Sequence, residues 1–441
     1  MKRLILVLGV VAIIVMCANY LGYSFAETEK YESLDYEYII VNDKAVIVGY
    51  KGEDPRLLLP ENLNGYPVNA VQSLGIQTGV EEITIPDCVS VAGNALGLCL
   101  SLAKINVSKN HPDLKLVDQV LFSKDGKTLI CYPSELLGKE YSVPDGTVII
   151  GDSAFCDCPF LERIRLPSSV KTIENAAFCA CNKLVSINLP QSIETFGEMA
   201  LANTALKKID MRHLSELTAI PNRMAYGCWQ LSEILLPDSV VHIGDEAFAF
   251  SSITTVDLPP ELSYIGINPF RWCGNLRGLT VREPSERYKF EYPFLLDILE
   301  NQAVSCVCRV SGEIVLPDVT AIGDCCCNGC EWITGLTIPP GVEHIGREAF
   351  SFCTCLRTVR IEGACDLIIL KNAFEECYEL SLLIISGNVT HIGPDAFRKD
   401  DELHYVVSSD ETVKQYFDGS RTIVVEKEED VQLFSDFGPF G

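Results

Sequence analysis

The chain has 441 residues, 48% of them hydrophobic, and a formal charge of −25. That acidic balance excludes the basic face on which nucleic-acid binding depends, and it makes anionic membranes repulsive. The length would allow several ordinary domains, but a fixed internal period argues for one repeated unit.

In chain order, Lys2 and Arg3 precede an apolar run from Leu4 to Met16, and Ser24-Phe25-Ala26 offers a small-x-small cleavage site before Glu27. Residues 1–26 therefore read as an export signal; the competing reading is an uncleaved anchor. No later stretch approaches the roughly 18 consecutive apolar residues of a spanning helix. Residues 27–80 are expected to form a cap. Tyr36 to Tyr50 reads as a hairpin about Asn42-Asp43-Lys44, and Leu57-Leu58-Leu59-Pro60 with Val68 to Val71 reads as a degenerate first coil.

Residues 81–404 carry the period. The stretch Leu161 to Leu184, LERIRLPSSVKTIENAAFCACNKL, restarts after 23 residues. In Leu161-x-x-Ile164-x-Leu166, Ile164 and Leu166 sit two apart and face one side of a short strand, with Arg163 and Arg165 on the other. Pro167 cannot donate to a ladder and ends that strand. Val170 and Ile173 return the chain inward, Ala177-Phe178 fills the opposite wall, and Cys181 closes the coil. Pro144, Pro167 and Pro190 repeat the same interval. One coil cannot bury its own inward residues, so neighbouring coils must stack, each buried Leu, Ile or Phe contributing roughly 1.5–3 kcal/mol. The period is broken at 108–141, where Val120 to Ile130 reads as a hairpin around Asp125-Gly126. It is broken again at 282–312, where Tyr292 to Leu299 is expected to be helical. Residues 405–441 are expected to close the stack with a short helix at Glu411 to Phe417, a strand at Arg421 to Val425, and a solvated, mobile acidic tail from Glu426.

The recurring Val-x-x-Ile-Gly-x-x-Ala-Phe-x-x-Cys-x-x-Leu-x-x-Ile-x-Leu/Ile-Pro, seen in Val240 to Phe248 (VVHIGDEAF) and Val342 to Cys353 (VEHIGREAFSFC), resembles the BspA-like leucine-rich-repeat family of bacterial surface proteins. The opening Val46-x-Val48-x-Tyr50-Lys51-Gly52 and Asn64-Gly65-Tyr66-Pro67-Val68 are similar to that family's first repeat, and the hairpin at 120–130 to its usual insertion. The likeness covers roughly residues 36–425. It implies a β-rich repeat solenoid: a right-handed leucine-rich-repeat superhelix with short strands on the concave face and short helical or irregular turns on the convex face. It also implies a secreted or cell-surface protein that binds or adheres. Glu174 and Pro221 stand where other coils have Gly151 and Gly244, so that slot does not demand positive φ. No cell-wall sorting motif is evident.

Aligning the coils accounts for many of the 20 cysteines. Cys99, Cys158, Cys181, Cys228, Cys273, Cys330, Cys353 and Cys377 fall in one slot, which Asn203 and Asp400 also occupy. All are small side chains able to bond backbone at a tight inner corner, a structural ladder of the leucine-rich-repeat kind. Cys325-Cys326-Cys327 and Cys330 look like a zinc cluster in isolation. In register, however, Cys326 and Cys327 replace the Ala-Phe pair, so no metal and no cofactor is expected. Cys156 and Cys179 stand at matched positions in adjacent coils, a spacing that would permit a disulfide. His242, His344 and His391 share a repeat position on the outer surface. No nucleophile constellation stands out, so no catalysis is expected.

The outward strand residues form the candidate docking face. Those expected to bind are Arg163, Arg165, Asn188, Lys208, Asp210, Asp257 and Arg360, with Leu382 and Ile384 as the best candidate apolar patch unless the C-terminal cap covers them. Their mixed polarity fits a protein or glycan partner, extracellular, with no nucleic acid and no membrane insertion after signal cleavage. The alternatives are an exported hydrolase or modifying enzyme whose repeats are a targeting arm, and a self-assembling surface scaffold.

Overall fold

The computed structural model describes residues 29–435 apart from 92, 93 and 284. Residues 1–26, expected to be an export signal, and the end of the tail lie outside the described residues. Contacts divide the chain into two units, Met1–Leu231 and Ser232–Gly441.

In the first unit the coil follows from the spacing of its apolar residues. In Arg163–Arg165 the centre, Ile164, is buried, while Arg165 is exposed. The strand lies parallel to Glu140–Ser142 on one side and Ser186–Ile187 on the other, with Arg163 opposite Glu140 and Ser186. A second strand side was not foreseen. Ile149–Ile150, Thr172–Ile173 and Thr195–Phe196 also pair in parallel, so each coil touches its neighbours along two edges.

The connecting turns are irregular. Of the two forms the resemblance implied, helical or irregular, the turns take the irregular one, and the α-helices among the described residues are Glu411–Phe417 and Glu428–Ser435. The reason is local. Ala176 and Ala180 hold φ of 50° and 61°, and the matching residues of other coils are also left-handed. Alternating hand swings the N–H groups out of the coil. Ala176 N donates to Glu198 O at 2.8 Å, Phe178 N to Ala200 O at 2.9 Å and Ala180 N to Ala202 O at 2.9 Å. A left-handed non-glycine residue costs about 1–2 kcal/mol, which bonds between coils and the packing of the phenyl rings offset. Phe155 and Phe178 stack 5.0 Å apart, and Tyr132 lies 5.2 Å from Phe155.

The expected opening hairpin is present as Tyr36–Val41 against Lys44–Tyr50, with Asn42 and Asp43 at φ of 51° and 59°. This is the turn that suits strand twist. Tyr66–Val71 then runs parallel to Lys44–Tyr50 and starts the stack. The insertion at 108–141 is a meander, Leu114–Val117, Val120–Ser123 and Thr128–Cys131, whose last strand pairs in parallel with Ile149–Ile150.

In the second unit the same device recurs and corrects an expectation. Tyr292 to Leu299 is not helical. Tyr288–Glu291, Phe294–Asp297 and Gln302–Cys306 form an antiparallel meander, and the last strand pairs in parallel with Ala321–Ile322. Pro293 sits in the turn, where it needs no ladder donor, and Phe294 and Leu295 enter the core. Arg287 binds the buried Asp297 at 2.8 Å and ties the meander together. The rings continue with Phe248 and Phe270 at 5.8 Å, then Phe350, Phe374 and Phe397 at 5.1 and 5.2 Å.

Glycine in the Ile-Gly slot serves closeness rather than positive φ. A Cβ on Gly346 would stand 2.6 Å from Asp324 N, and one on Gly393 2.6 Å from Lys371 N. The C-terminal end closes as expected at Glu411–Phe417, whose N-terminus Asp410 caps by accepting from Thr412 N at 2.8 Å and Val413 N at 3.2 Å. The last repeat strand is Ile423–Val425. The acidic segment is not simply a solvated tail, because Glu428–Ser435 is a helix and Val431 packs on Ile384, Val407 and Val425.

Candidate binding face

The inner corner is held by thiols. Cys181 Sγ donates to Phe155 O at 2.9 Å, Cys228 to Leu201 O at 3.1 Å, Cys273 to Phe248 O at 3.3 Å, Cys353 to Cys327 O at 3.4 Å and Cys377 to Phe350 O at 3.2 Å. Each thiol thus reaches the carbonyl of the preceding coil, and Cys158 leans the same way toward Tyr132 O at 4.0 Å. Cys99 and Cys330 are buried as well. Burial pushes the Cys99 thiol up to about 12 and also raises Cys228, which suits structural cysteines and not nucleophiles. Asn203 donates its backbone N–H to Tyr226 O, and Asp400 accepts from Cys377 N at 2.8 Å. Cys308, which the spacing analysis left out, belongs to the same series. It stands 22 residues before Cys330 and points at Phe270 O, 3.7 Å away.

A second polar series also escaped the sequence reading. The residue after the Gly slot accepts from the backbone of the next coil, as Asp152 does from Asn175 N at 3.0 Å, Asn175 from Glu198 N at 2.9 Å, and Asp324 from Arg347 N at 2.7 Å. Its signal was a small acceptor recurring right after Ile-Gly. Among the described residues no group of three or more His, Cys, Asp or Glu is arranged to hold a metal ion. Cys326 and Cys327 occupy the Ala-Phe slots, with Cys327 N on Ala349 O as Phe155 N is on Ala177 O. His344 and His391 are exposed, and His242 stacks on Tyr264 at 4.5 Å.

In the first unit the strand face is open. Arg163 clasps Glu140 of the preceding coil through Nε at 2.7 Å. Arg165 is exposed and makes no ion pair among the described residues. Asn188 is exposed, yet its amide is engaged, with Nδ2 on Leu166 O at 2.9 Å and Oδ1 on Leu166 N at 2.7 Å, so it locks two coils together. Lys208 is exposed. Two hydrogen bonds from Arg212 hold the Asp210 carboxyl down to about 2. Glu140 and Ser142, absent from the expected face, complete it.

In the second unit Asp257 is exposed and accepts from Thr280 Oγ1 at 2.7 Å. Farther along, the face is occupied. Arg360 forks onto both oxygens of Glu428 at 2.9 and 3.0 Å. Ile384 is covered by Val407 and Val425, with Leu382, Ile423 and Val431 packed around them. Leu382 and Ile384 are thus the floor of the closing helix. The cap covers them, so they are not the open apolar docking patch the sequence suggested.

Models of known families match residues 148–277 and 300–420 as six copies of the BspA type leucine rich repeat region, more than half of the chain. The chain belongs to the BspA-type leucine-rich-repeat family. The stacked coils just described are this family's solenoid. No curated protein matches the chain. Among solved structures, a leucine rich cell surface protein of Faecalibacterium prausnitzii is 19% identical, with 90% of this chain and 99% of that one covered and a TM-score of 0.46. The pneumococcal vaccine antigen PcpA is 16% identical, with coverages of 91% and 99% and a TM-score of 0.49. A leucine-rich repeat protein of Bacteroides ovatus is 19% identical, with coverages of 92% and 100% and a TM-score of 0.44. In this BspA-type chain no helix among the described residues is long and apolar enough to cross a membrane.

Proposed function

We propose that this BspA-type protein is an exported, non-catalytic module that binds a protein or a surface glycan through the strand face of its first unit. The observation that carries the reading is the register there. Glu140, Arg163 and Ser186 stand in one row and Ser142 and Arg165 in the next, on strands whose central Ile164 is buried and whose Tyr141 and Ile187 are half-buried. Parallel rows of mixed charge on a fixed backbone suit an extended polar ligand, and repeat proteins use such surfaces for recognition. The cell-surface description of a relative and the family membership support placement outside the cell. The ladder thiols Cys99 and Cys273, raised by burial, support a ladder that is structural and not nucleophilic.

The test is a panel of extracellular matrix proteins and polysaccharides. Arg165→Glu, alone and with Arg163→Glu, is expected to weaken capture at least about tenfold, equivalent to about 1.4 kcal/mol, while circular dichroism stays unchanged. Binding that ignores both variants, or turnover of any member of the panel, would overthrow the reading.

A further inference from the structure

The row of stacked rings in the second unit is interrupted. Phe248 and Phe270 stack on one side and Phe350, Phe374 and Phe397 on the other. In the two coils between them the ring slot holds Cys306 and Cys327. The backbone proves the correspondence. Cys306 N donates to Cys326 O at 2.9 Å and Cys327 N to Ala349 O at 2.7 Å, as Phe155 N does to Ala177 O at 2.8 Å. The ladder slots of these same coils hold Cys308 and Cys330. All four thiols are at most 2% exposed. With phenyl rings replaced by short side chains, the sulfurs converge. Cys306 is a close neighbour of both Cys327 and Cys330, and Cys308 of Cys330. Burial alone would raise the Cys306 thiol, yet its two thiol neighbours hold it at about 7.

We propose that Cys306 and Cys327 form a disulfide that staples the second insertion to the following coil. Adjacent strands lie about 4.8 Å apart, and a disulfide spans Cα atoms about 4.4–6.8 Å apart. The matched slots aim both side chains at the same core. The oxidant is an external disulfide, small or proteinaceous, met while these coils are still open during folding. The Cys306 thiolate attacks one of its sulfurs, forms a mixed disulfide and releases one thiolate. The Cys327 thiolate then attacks the Cys306 sulfur and expels the second. Two electrons pass from the cysteine pair to the external disulfide, and the two cysteine protons end on the two released thiols. The thiols that remain, Cys308 and Cys330, stay beside each other, with Cys308 Sγ aimed at Phe270 O. The inference does not depend on which ligand the strand face takes.

The full chain, folded with a glutathione redox couple, would be alkylated under denaturing conditions without reductant and digested with trypsin. The expected result is two cysteines protected from alkylation and a linked pair joining segment 290–309 to segment 310–347. The link should vanish in Cys306→Ala and in Cys327→Ala and persist in Cys308→Ala. Reduction should lower Tm by about 5 °C in the parent chain. It should not do so in Cys306→Phe, which restores a ring to the slot and reports that the fold tolerates the change. Alkylation of every cysteine, a link that survives Cys306→Ala, or four blocked thiols accompanied by stoichiometric zinc would each overturn the proposal.

Discussion

Phe374→Ala is expected to destabilise the second unit by about 4 kcal/mol, the upper part of the range for truncating a buried ring. Phe374 is fully buried, and its ring lies 5.1 Å from Phe350 and 5.2 Å from Phe397, within 9° and 3° of parallel. No neighbour can swing into the space, because each phenyl is already pinned between two coils whose backbones are bonded together. Phe374 N itself donates to Ala396 O at 2.8 Å. In a stack of this kind a coil's stability comes from its two interfaces, so the cavity weakens both. The loss should therefore be local at first. Hydrogen exchange should show residues 350–425 opening well before the first unit, and denaturant titration should gain an early step. A single unshifted transition, with a loss below about 1 kcal/mol, would show that the rings do not couple the coils.

Asp400→Asn should stabilise the protein near neutral pH and do nothing in acid. Asp400 is the ladder residue of the last regular coil and is 8% exposed. Burial raises its carboxyl from 3.8 to about 8, against the lowering effect of the Cys377 N–H. Its Oδ2 has no partner, as suits a site that favours the neutral acid. Because the folded pKa lies above the unfolded one, the folded state keeps a proton that the unfolded chain releases between about pH 4 and pH 8. Stability therefore falls as pH rises through that window. An amide carries no such penalty, and Asn203 already occupies this slot in the first unit. The expected gain is about 2 kcal/mol at pH 7.5, vanishing toward pH 4. Denaturation midpoints of both proteins at pH 4.5 and 7.5 decide the matter. An equal effect at the two pH values, or a loss at pH 7.5, would refute the assignment.

The period was legible because the contacts that matter join residues about 23 apart in sequence, so packing writes itself into spacing. The opening hairpin was legible through Asn42-Asp43, whose left-handed backbone leaves few alternatives. The second strand side was not. Pairs such as Thr172–Ile173 are two residues long and too short to show alternation. Phe294-Leu295-Leu296 misled because a run of apolar residues does not distinguish a buried strand from a helix. Of the binding face, the outward positions were legible and their occupancy was not. That Arg360 meets Glu428 depends on a contact across 68 residues, which no local pattern records.

The turn-side amides, swung outward by the left-handed residues, have one further consequence. Along this wall of the first unit each coil offers donors to the coil after it and acceptors to the coil before it. Within each unit such a wall is polar and self-complementary; the antiparallel opening hairpin blunts it in the first unit and the closing helices blunt it in the second. Stripped of its stopper, the coil edge of either unit would be open to pairing with another copy. The end pieces thus blunt exposed edges as much as they shield the apolar interior.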